Sequence, residues 1–438
     1  MLPILKHYLL SKYFRKFRDR KELETWQHKQ VVKHLQKIVP QSIFYQEFYQ
    51  GLNWQNWRDF PSIDKHTMME RFDDLNTVGI KKEAAFELAM ECDRSREFSP
   101  KIGNITVGLS SGTSGSRGLF LVNPSEQFEW AGTLLAKTLP GTIMHKHSVA
   151  LFMRANSNLY ETTRTNRIHF QFYDLLQPLD MHVEQLNHTP PTILAAPPSM
   201  LRFLSHQKNQ GRLHISPSKV ISLAEVLDPL DETFIRKAFG QQIHQIYQCT
   251  EGFLGVTCSL GTLHLNEDVV AIQQEFIDKE ARKFVPIVTD FRRTSQPIIR
   301  YRLNDILTER QTPCPCGSCF IALEKIEGRC DDIFYLPSLA QPEKLIPLFP
   351  DYIRNAITET DLVEEYLVVQ RDANYLEVAV KSKAGNQLDS LIKASLQRLC
   401  LRHQCRLPHL KFVPYVETTR DKKLRRIRRD YAPILNHQ

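Results

Sequence analysis

Apolar residues recur at helical spacing through KELETWQHKQVVKHLQKIV (21–39) and the pattern stops at Pro40, so the first hundred residues read as mostly helical. From Gly108 onward the period changes. Short β-rich runs, SVALFMR (148–154), TILAA (192–196), KVISLAE (219–225) and IHQIYQ (243–248), alternate with helical segments. Between the second and third of these, SMLRFLSHQKNQG (199–211) predicts a helix with Ser199 as N-cap and Gly211 as its stop. Alternation of this kind specifies a layered α/β architecture with loops at the strand ends.

A β-rich stretch runs from GTLHL (261–265) through PIIRYR (297–302) into a cysteine cluster and EGRCDDIF (327–334). Beyond it EYLVVQ, YLEVAV, an amphipathic LDSLIKASLQRLCLR and LKFVPYV form a β-β-α-β unit of small-domain size. The chain is therefore expected to divide into residues 1–328 and 329–438: a large α/β domain with a helical start and a β-rich end, then a small α+β domain.

Composition narrows the function. At 438 residues, 42% hydrophobic and 24% charged, this is a folded protein with more apolar material than one core usually organises. No stretch approaches eighteen uncharged apolar residues, and MLPILKHYLLSKYF is broken by Lys6, His7 and Lys12 too early for a signal-peptide core. No membrane span is expected, and the chain is placed in the cytosol. Nine cysteines, an odd number, suit a reducing compartment and a metal site better than a disulfide framework. Six of the basic groups behind the net charge of +8 fall in KKLRRIRRD (422–430), a run without interleaved aromatics, which argues against a nucleic-acid reader.

The loop GLSSGTSGSRG (108–118) holds four glycines, four serines, a threonine and an arginine, with no acid. Glycines let backbone N–H groups converge on a phosphate, and hydroxyls add donors without a competing charge. The spacing matches neither the Walker loop nor the dinucleotide fingerprint.

Five ordered segments resemble the motifs of the adenylate-forming superfamily, the acyl- and aryl-coenzyme A synthetases. They are SSGTSG (110–115), SLAEVL (222–227), YQCTEG (247–252), YRLND (301–305) and GRCDD (328–332). Within it, DFPSIDKHTM and LHLNED make the chain most similar to the phenylacetate:coenzyme A ligase-like and coenzyme F synthetase-like group. The resemblance implies a large ATP- and acid-binding domain with a small mobile lid hinged near Asp331. It assigns Ser110, Ser111, Gly112, Thr113, Ser114 and Gly115 to the phosphates of ATP, and Ala224, Glu225 and Tyr247 to the adenine. Asp305 would take the ribose hydroxyls with Arg329 nearby, Thr250 and Glu251 form the Thr-Glu motif, and Glu251 supplies the carboxylate for Mg2+. DKKLRR (421–426) is similar to the lid's catalytic-lysine motif with Lys422 at the lysine position and Lys423 as competitor.

The implied reaction joins a carboxylic acid, aryl or fatty, to AMP with release of pyrophosphate, followed by transfer to coenzyme A, a carrier-protein thiol or an amine, and the enzyme type expected is an acid–thiol ligase. AAPPS (195–199) and the surroundings of Phe253 would line the acid pocket. Cys258, His264, Cys314 and Cys316 are expected to hold a structural Zn2+, with Cys319 as alternate. Two features depart from the family pattern. Arg117 stands one position before the usual loop lysine, and FYLPSLAQP (334–342) replaces the glycine loop that admits a pantetheine thiol. The readings that compete with the enzyme are a nucleotide-binding protein without catalysis and a zinc-stabilised nucleic-acid binder.

Overall fold

Five strands, Ile168–Asp174, His147–Met153, Ile193–Ala196, Lys219–Ser222 and Ile243–Cys249, pair in parallel in that spatial order in the computed structural model. It describes residues 2–110, 117–382, 387–417 and 423–433. Parallel strands must be covered on both faces, which explains the mostly apolar runs of His147–Met153, Ile193–Ala196 and Lys219–Ser222; Ile168–Asp174 and Ile243–Cys249 carry polar residues among their apolar ones. Ala150, Phe152, Leu194 and Val220 pack on one side with helices Leu179–His188, Pro198–Asn209 and Pro229–Phe239. Leu151, Ile193 and Ile221 pack on the other with Ala131 and Leu135 of helix Pro124–Thr138. The strand order reverses beside His147–Met153, and in doubly wound sheets ligands bind outside the carboxyl ends near such a point.

The chain divides into two units, residues 1–303 with 307–325, and residues 304–306 with 326–438, so the division falls inside strands Asp305–Glu309 and Ala322–Arg329. In the larger unit the parallel sheet continues antiparallel through Gly252–Thr257 and Leu263–Leu265. A separate antiparallel sheet of Lys101–Ile102, Ile105–Leu109 and Leu119–Val122 carries the Ser/Gly loop between its last two strands. Helix Arg20–Ile38 is capped by Asp19, whose side chain accepts from the Glu22 N–H at 2.8 Å, and ends in a turn holding Pro40. In the smaller unit a four-stranded sheet runs His409–Val413, Tyr375–Lys381, Glu365–Asp372, Ile427–Arg429, with helices Pro350–Ile357 and Gln387–Arg402. Its last strand lies inside the basic run.

Ser199 is not the helix cap expected from the sequence. The helix starts at Pro198, whose fixed φ suits the first helical position. The Ser199 N–H is met by the Glu225 carboxylate at 3.3 Å instead.

Helix Leu2–Leu9 lies against helix Pro124–Thr138 at Gly132, where an added Cβ would sit 2.5 Å from the Ile4 carbonyl oxygen and 2.9 Å from the Tyr8 nitrogen. Backbone atoms cannot yield to a side chain there. Gly132→Leu is expected to cost about 2–3 kcal/mol, read as a lower urea midpoint.

Candidate active site

The foot of the Ser/Gly loop is closed by a reciprocal pair. The Ser110 N–H donates to the Gly118 carbonyl and the Gly118 N–H donates to the Ser110 hydroxyl, both at 2.7 Å. Lys65, the first residue of helix Lys65–Glu70, places its Nζ 3.4 Å from the same hydroxyl. Gly118 permits the approach, since a Cβ there would stand 3.1 Å from Lys65 Cε. Arg117 is turned elsewhere and pairs with Asp93 at 2.7 Å, so the ammonium at the loop foot comes from a helix 45 residues upstream. Ser111, Gly112, Thr113, Ser114 and Gly115 lie outside the described residues.

At the carboxyl end of strand Ile243–Cys249 the ladder slips between Tyr247 and Gln248, and the chain turns through Thr250 and Glu251. Bulges of this kind re-aim side chains beside functional sites. The Thr250 hydroxyl donates to Glu251 Oε2 at 2.9 Å. The Tyr301 hydroxyl, from the Tyr-Arg-x-x-Asp segment, also bonds the Glu251 carboxylate; burial first and that negative charge next push its ionisation far above the ordinary tyrosine range. Tyr301 therefore stays a donor.

Two residues that motif reading passed over hold this turn. Arg293 donates to the Thr250 carbonyl, to the Leu121 carbonyl at 3.1 Å and to Gln296 Oε1 at 3.3 Å, joining the strand that closes the Ser/Gly loop to the Thr-Glu turn. Glu126 is buried and accepts from the Asn123 N–H at 2.7 Å, the Ser295 N–H at 2.8 Å, the Ser295 hydroxyl at 2.8 Å, the Thr294 hydroxyl at 3.0 Å and the Thr294 N–H. The signal for Glu126 was present, because NPSE (123–126) is the reciprocal capping box observed at the start of its helix.

After strand Lys219–Ser222, the Leu223 N–H donates to the Ala196 carbonyl at 3.2 Å and Ala224 adopts φ 67°, left-handed backbone that an alanine enters at a cost. The side chain of Glu225 is buried, 3.8 Å from Arg154. Ala195, Ala196 and Phe253 are themselves packed in the interior.

In the smaller unit Asp305 and Arg329 face each other at 3.7 Å, and Asp331, in the turn Cys330–Asp332, accepts from Asn304 Nδ2 at 2.6 Å. The arginines of the basic run are engaged in the same unit. Arg425 pairs with Asp332, Arg426 lies over the Tyr366 ring, and Arg429 donates to the Ile333 carbonyl at 2.8 Å. Lys422 lies outside the described residues.

Cys258, His264, Cys314 and Cys316 offer ligand atoms that all lie within 4.8 Å of one another. Cys258 and Cys314 sulfurs are 3.9 Å apart, and Cys316 Sγ is 3.4 Å from His264 Nε2. His264 Nδ1 is 3.2 Å from the Phe320 carbonyl, which fixes the proton there and leaves Nε2 for a metal. Cys319 points instead toward the Phe17 carbonyl.

A solved structure of 2-hydroxyisobutyryl-CoA ligase in complex with 2-HIB-AMP superposes with a TM-score of 0.71 over 95% of this chain and 91% of that one, at 16% identity. The chain has the fold of the adenylate-forming ligases. The amide bond synthetase of Marinactinospora thermotolerans matches at TM-score 0.53 and 15% identity over 73% of this chain and 67% of that one. The anthranilate CoA ligase AuaEII, solved with anthranoyl-AMP, matches at 0.51 and 13% over 73% and 66%. In sequence, 131 residues are 33% identical to the indoleacetate–lysine synthetase of Pseudomonas savastanoi, covering 29% of this chain and 32% of that relative, so the match spans about a third of the relative's length. No protein-family model matches.

Replacing Ala224 by glycine removes about 1–2 kcal/mol of left-handed strain against roughly 0.4–1 kcal/mol of added unfolded-chain entropy. Ala224→Gly is expected to unfold at a slightly higher denaturant concentration than the parent; a lower midpoint would show that the methyl group is held by its surroundings.

Proposed function

We propose that the chain activates a small carboxylic acid as its acyl-adenylate. The observation that carries this is the Glu251 carboxylate, fixed by Thr250 and Tyr301 at the end of a parallel strand and tied through Arg293 to the strand closing the Ser/Gly loop. Ser110 to Gly115 receive the ATP phosphates, with Lys65 supplying positive charge at the loop foot. The turn at Ala224 and Glu225, with Tyr247, takes the adenine; Asp305 and Arg329 take the ribose. Glu251 would hold Mg2+, an oxygen-seeking ion that neutralises phosphate charge when bound. The substrate carboxylate attacks the α-phosphorus, the bond to the bridging oxygen breaks and pyrophosphate leaves. Lys422, with Lys423 as the neighbouring candidate, stabilises the charge that accumulates on the phosphorus oxygens.

An amine is favoured as acceptor over a thiol. FYLP (334–337) forms a strand paired antiparallel to Leu345–Leu348, with Phe334 and Leu336 buried, where a glycine loop would let a pantetheine arm approach. The indoleacetate–lysine and amide bond synthetases among the similar proteins are examples of that chemistry, while 2-hydroxyisobutyryl-CoA ligase keeps coenzyme A as the acceptor to compete against it. Attack of the amine on the acyl carbon expels AMP.

The four-ligand set suits a structural Zn2+: three soft thiolates and one imidazole, the number a tetrahedral site takes, with the histidine fixed by a backbone carbonyl. Its closed count of four protein ligands suits support, not catalysis.

The first test is carboxylate-dependent ATP–pyrophosphate exchange across aryl, hydroxy-aryl and medium-chain fatty acids. Exchange with one class is expected; ATP binding without exchange for any acid would instead support a nucleotide binder. Glu251→Ala should lower exchange by at least roughly 100-fold. Lys65→Ala should act mainly on the KM for ATP, by about tenfold. Lys422→Ala should suppress exchange while ATP still binds, whereas the same loss in Lys423→Ala alone would move the role by one residue. Once an acid is known, amines and coenzyme A compete as acceptors in one assay.

For the metal, elemental analysis should find one zinc per chain. A Cys314→Ser, Cys316→Ser double variant should lose it and melt roughly 5–10 °C lower. Metal-free wild-type protein with an unchanged melting temperature would remove zinc from the account.

A further inference from the structure

Helix Leu2–Leu9 and the π-helical turn Leu10–Phe14 that prolongs it bury one face and present a second apolar face to solvent. The buried face is well fixed. Ile4 and Tyr8 enter the core, the Ile143 N–H donates to the Tyr8 hydroxyl at 3.2 Å, and Lys12 Nζ donates to the Gly141 carbonyl at 2.8 Å. His7 and Arg15 stand 3.6 and 3.8 Å from Glu129, an acid that Arg292 also pairs with at 3.1 Å. A helix packed on a globular domain normally turns polar residues outward. Here the outward positions are Leu2, Leu5, Leu9 and Tyr13, at the spacing of one helical face, followed by Phe14; Leu2 is 82% exposed, Phe14 72%, and Met144 on the adjoining loop 62%.

The charge around this face has one sign. Residues 2–18 contain no aspartate or glutamate. Lys6 is exposed on the segment itself, Lys16 two residues beyond its end, and Lys146 on the loop beside Met144. Arg167 donates to the Met144 carbonyl at 2.7 Å from an exposed position. Two copies meeting face to face would crowd cations of like sign together. The thirteen residues of the segment, at roughly 1.5 Å each, fall well short of the roughly 30 Å needed to cross a bilayer. An apolar stripe bordered by cations, with aromatics at one end, is the pattern that lies in the headgroup plane of a membrane.

We propose that residues 2–14 and the loop at Met144 dock this protein, without spanning, on a bilayer surface carrying anionic headgroups. Insertion removes Leu2, Leu5, Leu9 and Phe14 from water, while Lys6, Lys16 and Lys146 meet lipid phosphates. This does not depend on the chemistry assigned to the active site.

The test is co-sedimentation of the full-length protein with vesicles of phosphatidylcholine alone and of phosphatidylcholine containing one quarter phosphatidylglycerol. Binding should favour the anionic vesicles and fall as salt is raised. A Leu5→Glu, Leu9→Glu variant should lose at least about tenfold in partitioning, and Lys6→Glu, Lys16→Glu should lose roughly tenfold or more on anionic vesicles. Phe14→Trp should report insertion as a blue shift of emission on vesicle addition. All five substituted positions lie on the surface, and an unchanged melting temperature confirms the fold. Equal partitioning of parent and variants, or no partitioning of the parent, overturns the proposal. So does light scattering that shows a parent dimer made monomeric by Leu5→Glu, Leu9→Glu, which would give the face to a second copy.

Discussion

A carboxylate removed from water must be met by donors, and the arrangement of the larger unit follows from how Glu126 is met. Its five hydrogen bonds come from its own helix cap and from the backbone and hydroxyls of Thr294 and Ser295, some 170 residues away. Once those are made, Arg293 has little freedom. It bridges the Thr250 carbonyl and the strand that follows the Ser/Gly loop, which ties the Glu251 turn to that strand. The charge at the centre is thus the means by which two loops from distant parts of the chain share one frame.

In the smaller unit, charge is used in the opposite way. The basic run shows little apolar pattern in the sequence, yet Arg425, Arg426 and Arg429 are committed to Asp332, the Tyr366 ring and the Ile333 carbonyl. Ile427 is buried, and its strand pairs with Glu365–Asp372 through Val368. Guanidinium groups stack on rings and reach carbonyls from a strand that is apolar at one position only. A run that looks like a tail is therefore an ordered edge of a sheet.

How much was legible follows from what each signal requires. Strands 147–153, 193–196 and 219–222 were visible because burial leaves mostly apolar letters, and 243–249 was read from Ile243, Ile246 and Tyr247 despite His244 and Gln245. Ile168–Asp174 was not. It lies at the edge of the sheet, and His169 and Gln171 interrupt its pattern. Ile427–Arg429 was hidden by its arginines. The motifs put Glu251, Ala224 and Asp305 at strand ends or turns, but no local pattern could say that Tyr301 bonds Glu251 or that Lys65, not Arg117, stands at the loop foot. Those are tertiary facts. Glu126 lay between, since its capping box was readable while its partners at 294 and 295 were not.

The Cys258, His264, Cys314 and Cys316 set joins stretches more than fifty residues apart, and it exists only once Leu263 and His264 have paired with Leu323 and Ala322. Its high sequence separation means that the cost of closing a long loop is met before the contact gives any reward. A metal bound there would act as a seal on finished folding: chains that had not completed the sheet would carry four scattered donors, and the ion would discriminate completed molecules from unfinished ones.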